Sequence, residues 1–163
     1  MFTPSLMFRY HIRIVKVFLQ WRLGGRVRSS ESRLRFRASP FDCDWLGHIN
    51  NARYLEYLDA GRSDLMLRMG LFDHARRNAW HAVVGTVNVR YRREVRAGKK
   101  FTLVTRFDRI EGKAMVFQQQ IMLGDTLATE AECYVIAVRD RRAADPSFLL
   151  PLLKPEADAE LRS

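Results

Sequence analysis

The chain has 163 residues, with 28 Lys and Arg against 18 Asp and Glu, a formal net charge of +10. That length suits one domain with a substantial core, and no apolar run reaches the roughly 20 residues that a membrane-spanning helix needs. The charge favours a polyanionic partner: a small molecule, an anionic membrane surface or, ranked last, nucleic acid, because the arginines are spread along the chain without a nucleic-acid motif.

Residues 1–30 form a unit of their own. Residues 6–23 are rich in large apolar side chains, while Arg9, Arg13, Lys16 and Gln20 recur at helical spacing as one polar stripe. A wide apolar face with a basic stripe fits an amphipathic helix that either lies in a membrane surface or docks on its own domain. Gly24-Gly25 and the polar run after it read as a flexible connection. Residues 33–39 alternate Leu34, Phe36 and Ala38 against Arg33, Arg35 and Arg37, a half-buried strand that Pro40 ends.

From Ala52 onward, Tyr54, Tyr57, Leu58, Gly61, Leu65 and Met69 fall three and four apart, which predicts a helix over about 51–69. Asn50 or Asn51 suits its N-cap and Gly70 its stop. Arg53, Glu56, Arg62, Ser63 and Arg68 fall largely off the apolar face, with Asp59 and Asp64 placed as partners for the arginines. Residues 71–80 read as a connection containing a helical turn.

Four strands follow, over 81–95, 100–110, 113–123 and 126–139. Turns at Ala97-Gly98-Lys99, Glu111-Gly112 and Gly124-Asp125 separate them and argue for an antiparallel meander. One strand, one long helix and four strands give an α+β domain over 31–142, the helix lying against a single curved sheet. The proline-bearing tail, 143–163, is expected to be irregular and anchored by Phe148-Leu149-Leu150.

The stretch from Asp42 to Tyr54 concentrates acid, imidazole and amide groups at a strand-to-helix joint, the kind of place where sites are built. Asp44 can act there as nucleophile or as base for water, His48 can assist, and the free N–H groups near Asn51 and Ala52 can hold a developing oxyanion. Asn50 fits better as cap and loop brace than as a chemical group, and Asp42 as a turn or capping residue. Cys43, between two aspartates, is disfavoured as a thiolate. Neither Cys43 nor Cys133 has metal-ligand or disulfide-framework spacing, so a reducing, cytoplasmic setting and no metal are expected. No redox or organic cofactor motif is present.

The pattern D-x-D-x-x-G-H-x-N-N-x-x-Y resembles the hot-dog thioesterases of the 4-hydroxybenzoyl-CoA thioesterase type. It is also similar to the D-x-D-x-N-x-H-x-N-N motif of plant acyl-ACP thioesterases, with Leu46 in place of the middle asparagine. The resemblance spans roughly 33–140 and implies a hot-dog fold. It implies that Asp44 is the catalytic carboxylate, with His48 implicated beside it and Gly47 and Tyr54 as loop support. It further implies hydrolysis of an acyl-CoA or acyl-carrier-protein thioester by a homodimer or tetramer, with sites at the subunit interface.

A second hot-dog branch carries its acid on the central helix, which makes Glu56 the rival carboxylate. Arg90, Arg92 and Arg93, with Arg96, Lys99 and Lys100 beyond them, are candidates for coenzyme A phosphates. The competing reading is a non-catalytic acyl-binding or membrane-associated hot-dog protein, in contact with the inner face of a membrane through residues 6–23.

Overall fold

The computed structural model describes residues 14, 15, 17, 19 and 29–153. The elements are β1 (Glu31–Arg37), α1 (Asn51–Arg68), α2 (Leu71–Arg77), β2 (His81–Tyr91), β3 (Lys100–Glu111), β4 (Ala114–Leu123), β5 (Thr126–Arg139), β6 (Arg142–Ala143) and α3 (Leu150–Leu153). Short 3-10 turns occupy Pro40–Asp42 and Pro146–Leu149. All strand pairs are antiparallel, in the order β1-β3-β4-β5-β2, with β6 on β5.

The expected meander holds for β3, β4 and β5 but not for β2, which pairs with β5 at the far edge. Ala97-Gly98-Lys99 is therefore no hairpin turn between neighbours. Its backbone is committed elsewhere: Gly98 N–H donates to Ala38 O at 2.8 Å and Ala97 N–H to Gly47 O at 3.0 Å. Residues 71–77 form a real helix where only a turn was expected. Gly70, in the left-handed region at φ 74°, starts it, and buried Leu71 and Trp80 hold it to the core.

The α1 residues Tyr54, Tyr57, Leu58, Gly61 and Leu65, and Met69 at its C-cap, are all buried. They pack on the concave side of the sheet against Phe101, Leu103, Met115, Phe117 and Ile121. Arg62 departs from expectation: it is 7% exposed, because Nη1 donates to buried Gln119 at 2.8 Å while Nη2 meets Asp59 at 3.0 Å. Asp64 pairs with Arg68 as spacing suggests, and also accepts from Ser32 Oγ at 2.6 Å, tying α1 to β1. Gly61 marks the closest approach of helix and sheet. A Cβ there would lie 2.5 Å from Thr105 Oγ1 and 2.6 Å from Leu103 Cδ2.

At the N-terminal side, residues 14, 15, 17 and 19 are helical. Val17 is buried with Leu34, Ala60 and Leu67, Ile14 packs beside it, and Val15 and Leu19 are exposed. The rest of residues 1–28, with Arg9, Arg13, Lys16 and Gln20, lies outside the described residues, as do 154–163. Of the expected C-terminal anchor only Leu149 is buried. Leu153 joins it, while Phe148 stacks on His74 at the surface.

Gly61→Val is expected to lower the unfolding free energy by about 1–3 kcal/mol through overpacking, seen as an earlier midpoint in urea. A midpoint equal to that of the parent would mean that α1 does not sit this close.

Candidate active site

Residues 38–50 are shaped by short-range bonds. Ser39 caps the 3-10 turn at Pro40–Asp42, and Cys43 then bridges Ile49 antiparallel. Between them the chain reverses at Trp45 and Leu46. Asp44 N–H donates to His48 O and Gly47 N–H to Asp44 O, both at 3.0 Å. Gly47 has φ +80°, a conformation glycine takes without steric cost, which accounts for the glycine of the motif. The loop is moored on the segment between β2 and β3. Ile49 N–H donates to Val95 O at 2.9 Å, and His48 bridges Arg96. Beneath it, buried Asp42 accepts from Tyr57 Oη at 2.6 Å and, through its carbonyl, from Asn50 N–H at 2.9 Å. Asp42 thus braces the loop against α1.

Asp44 and His48 come together. Oδ2 of the first lies 3.4 Å from Nδ1 of the second, with side chains 23% and 27% exposed. Asp44 Oδ1 accepts Leu46 N–H at 2.9 Å, which fixes the carboxylate and turns its other oxygen to the imidazole. Burial pushes the Cys43 thiol up, and the Asp42 and Asp44 carboxylates add to the effect, so Cys43 is held as the thiol.

Asn50 is the N-cap, its Oδ1 accepting Ala52 N–H at 3.0 Å. Of the two amides expected to grip a carbonyl oxygen, that of Ala52 is therefore engaged. That of Asn51 has no acceptor among the described residues. Tyr91 Oη, at the end of β2, donates to Asn51 O at 3.1 Å, and its ring meets Tyr54 edge-on at 5.0 Å. Burial pushes the Tyr54 phenol up, in keeping with a bracing role.

Glu56 stands on α1 in an ion pair with Arg53. Arg90 and Arg92 both face Glu130, at 3.7 and 2.7 Å, while Arg93 is exposed. Two features carried no sequence signal. Tyr57 reads only as a core residue, yet its hydroxyl holds Asp42. An apolar cavity of about 420 Å³ also opens between α1, α2 and β2, walled by Met66, Phe72, Trp80, Ala82 and Val84, with Arg62 beside them. Its walls come from three separate elements, so no local pattern announces it. Among the described residues no group of three His, Cys, Asp or Glu is placed to hold a metal, and no helix is long and apolar enough to cross a membrane.

A curved antiparallel sheet closed over one long helix, with a carboxylate–imidazole loop at the start of that helix, defines a hot-dog domain of the thioesterase type. The chain belongs to the thioesterase-like superfamily, whose family model matches residues 38–158. Over 81 residues it is 38% identical to Protein THEM6 of Danio rerio, covering 50% of this chain and 40% of that one. Over 83 residues it is 30% identical to the long-chain acyl-CoA thioesterase FadM of Escherichia coli K12, covering 51% of this chain and 63% of that one. The chain thus spans about half the length of the curated relatives it matches. The YbaW probable thioesterase from Escherichia coli shares the fold, with a TM-score of 0.66 at 22% identity over 80% of this chain and 97% of that one.

Asn50→Ala removes the cap and is expected to cost about 1 kcal/mol of stability, measurable by urea unfolding. A variant as stable as the parent would show that the cap is not engaged.

Proposed function

We propose that the chain hydrolyses an acyl thioester, carried on coenzyme A or an acyl-carrier protein, to a free acid and a thiol. The observation that carries this reading is the Asp44–His48 pair at 3.4 Å, held on a moored loop at the mouth of the α1 N-terminus. The partial positive charge of that terminus favours a carbonyl oxygen that becomes an oxyanion, with the Asn51 N–H as its donor.

Two routes are open to the carboxylate. Asp44 can remove a proton from water as the oxygen of that water adds to the carbonyl carbon. The C–S bond then breaks and the thiolate takes up the proton. Alternatively Asp44 adds directly, thiolate leaves, and water hydrolyses the acyl-aspartyl anhydride. In both, His48 orients the carboxylate oxygen that reacts.

The acyl group needs a seat, and the cavity bounded by Met66, Phe72, Trp80, Ala82 and Val84 offers one. Within one chain the cavity adjoins the start of β2, whereas Tyr91, at the end of β2, holds the α1 N-terminus. β2 is an eleven-residue edge strand with Val83 and Val84 each 43% exposed, an open edge of the kind that pairs with another chain. Antiparallel pairing of β2 with its copy about a two-fold axis covers these valines. It also lays the cavity of one subunit beside the helix N-terminus of its partner. The proposed site is therefore composite, with carboxylate and donors from one subunit and acyl seat from the other.

The alternative of a non-catalytic acyl-binding protein draws on one observation, the Ala52 N–H already held by Asn50. Thiol release from acyl-CoAs of graded chain length separates the two readings. Asp44→Asn is expected to lower kcat by roughly 10²–10⁴-fold with acyl-CoA binding retained. Turnover unaffected by Asp44→Asn would overturn the assignment. Val84→Lys, which places a charge on the β2 edge, is expected to give a folded monomer by sedimentation with little turnover. A Val84→Lys dimer would place the interface elsewhere.

A further inference from the structure

Trp45 and Leu46 stand at the tip of the 44–47 turn with 91% and 58% of their surfaces exposed. The bonds from Gly47 to Asp44 and from Ala97 to Gly47 hold the backbone of this turn in place. The same end of the molecule gathers cations. Ala38 N–H donates to Lys99 O at 2.9 Å and Gly98 N–H to Ala38 O at 2.8 Å, which joins the end of β1 to the start of β3, where Arg37 faces Lys100 in register. Arg35, Arg37 and Lys100 line an open cavity of about 500 Å³ with Phe101 and Thr102. Arg37 makes one bond to Gly98 O at 3.2 Å. None of Arg35, Arg37, Lys99 and Lys100 has a carboxylate partner among the described residues. The acid next along the chain from the cavity rim is Asp125, after Gly124.

An exposed tryptophan and leucine at the same end of the molecule as cations that lack a carboxylate partner among the described residues have the composition of a surface that enters the headgroup region of a bilayer. Nucleic acid would use the cations and the indole but leave Leu46 in water. We propose that this end of the molecule docks on an anionic lipid bilayer. Trp45 and Leu46 enter the headgroup boundary, Arg35, Arg37, Lys99 and Lys100 meet lipid phosphates, and the cavity seats one of them. Docking in this way would set the mouth of the Asp44–His48 loop against the membrane. The inference does not depend on turnover, so its test stands apart from that of the thioesterase reading.

The 163-residue chain is sedimented with vesicles of phosphatidylcholine alone or mixed with phosphatidylglycerol. Binding is expected only to the mixed vesicles and is expected to weaken as salt is raised. Each cation at such a surface is worth roughly a fivefold change in partitioning, so Arg35→Glu with Arg37→Glu and Lys100→Glu should lower it by about 100-fold or more. Trp45→Ser with Leu46→Ser should lower it at least about tenfold, and carries the test if the triple variant fails to fold by circular dichroism. Charge reversal of Lys113, Arg141 and Arg142, at the other end of the sheet, should leave it nearly unchanged. Several results would overturn the proposal. These are equal binding to phosphatidylcholine alone, equal loss from both triple reversals, release by free coenzyme A, tighter binding to duplex DNA than to mixed vesicles, or self-association through Trp45 without vesicle binding.

Discussion

The close approach of α1 to the sheet at Gly61 sets the height of everything built on the helix. With no side chain at that position, Thr105 and Leu103 reach the helix backbone, and Gln119 bonds both Leu58 O and Thr105 Oγ1 from beneath. Close-packed interiors transmit such constraints because they have little slack. Tyr57, one turn before Gly61, then meets Asp42, and Asp42 holds the loop that carries Asp44 and His48. The position of the proposed catalytic carboxylate is thus fixed from the core outward.

Buried polar groups stiffen this arrangement in pairs. Asp64 with Ser32 and Arg68 fastens α1 to β1, and Arg62 with Gln119 and Asp59 fastens it to β4. Each group has a partner, which is the condition for burying charge without a large desolvation penalty. The edges differ. Leu34 of β1 packs in one cluster with Val17 and Ile14, while among the described residues no strand lies beyond β2, whose Val83 and Val84 are exposed, and it is this edge that the composite site uses.

Local patterns made most of this architecture readable in advance. The three–four spacing of Tyr54 to Met69 located α1 to within a residue, and the period-two strands and their glycine turns located β3, β4 and β5. The cap was readable as Asn50 or Asn51 from the capping chemistry of an asparagine side chain, and Asn50 is the one that caps. What stayed hidden depends on contacts between distant segments. The crossing of β2 to the far edge rests on bonds from residues 92–98 to residues 38, 47 and 128. Arg62 looked like a surface residue because Gln119, which joins Asp59 in making its burial tolerable, lies far away in sequence. Tyr57 looked like core because its hydroxyl partner, Asp42, belongs to a different segment. Arg90 and Arg92, placed by strand spacing among phosphate-binding candidates, turn out to face Glu130, a cross-strand neighbour that only the β2–β5 register reveals.

The central claim is that one subunit supplies the carboxylate and the other the acyl seat. Complementation tests it most directly. Chains carrying Asp44→Asn are mixed, by joint refolding, with chains whose cavity is filled by Ala82→Trp, each inactive by itself. Random pairing makes half of the dimers mixed, and each mixed dimer then holds one intact site, so about a quarter of the parental thiol release should return. A mixture that stays inactive, although the mixed dimer is isolated, would mean that carboxylate and acyl seat belong to the same chain.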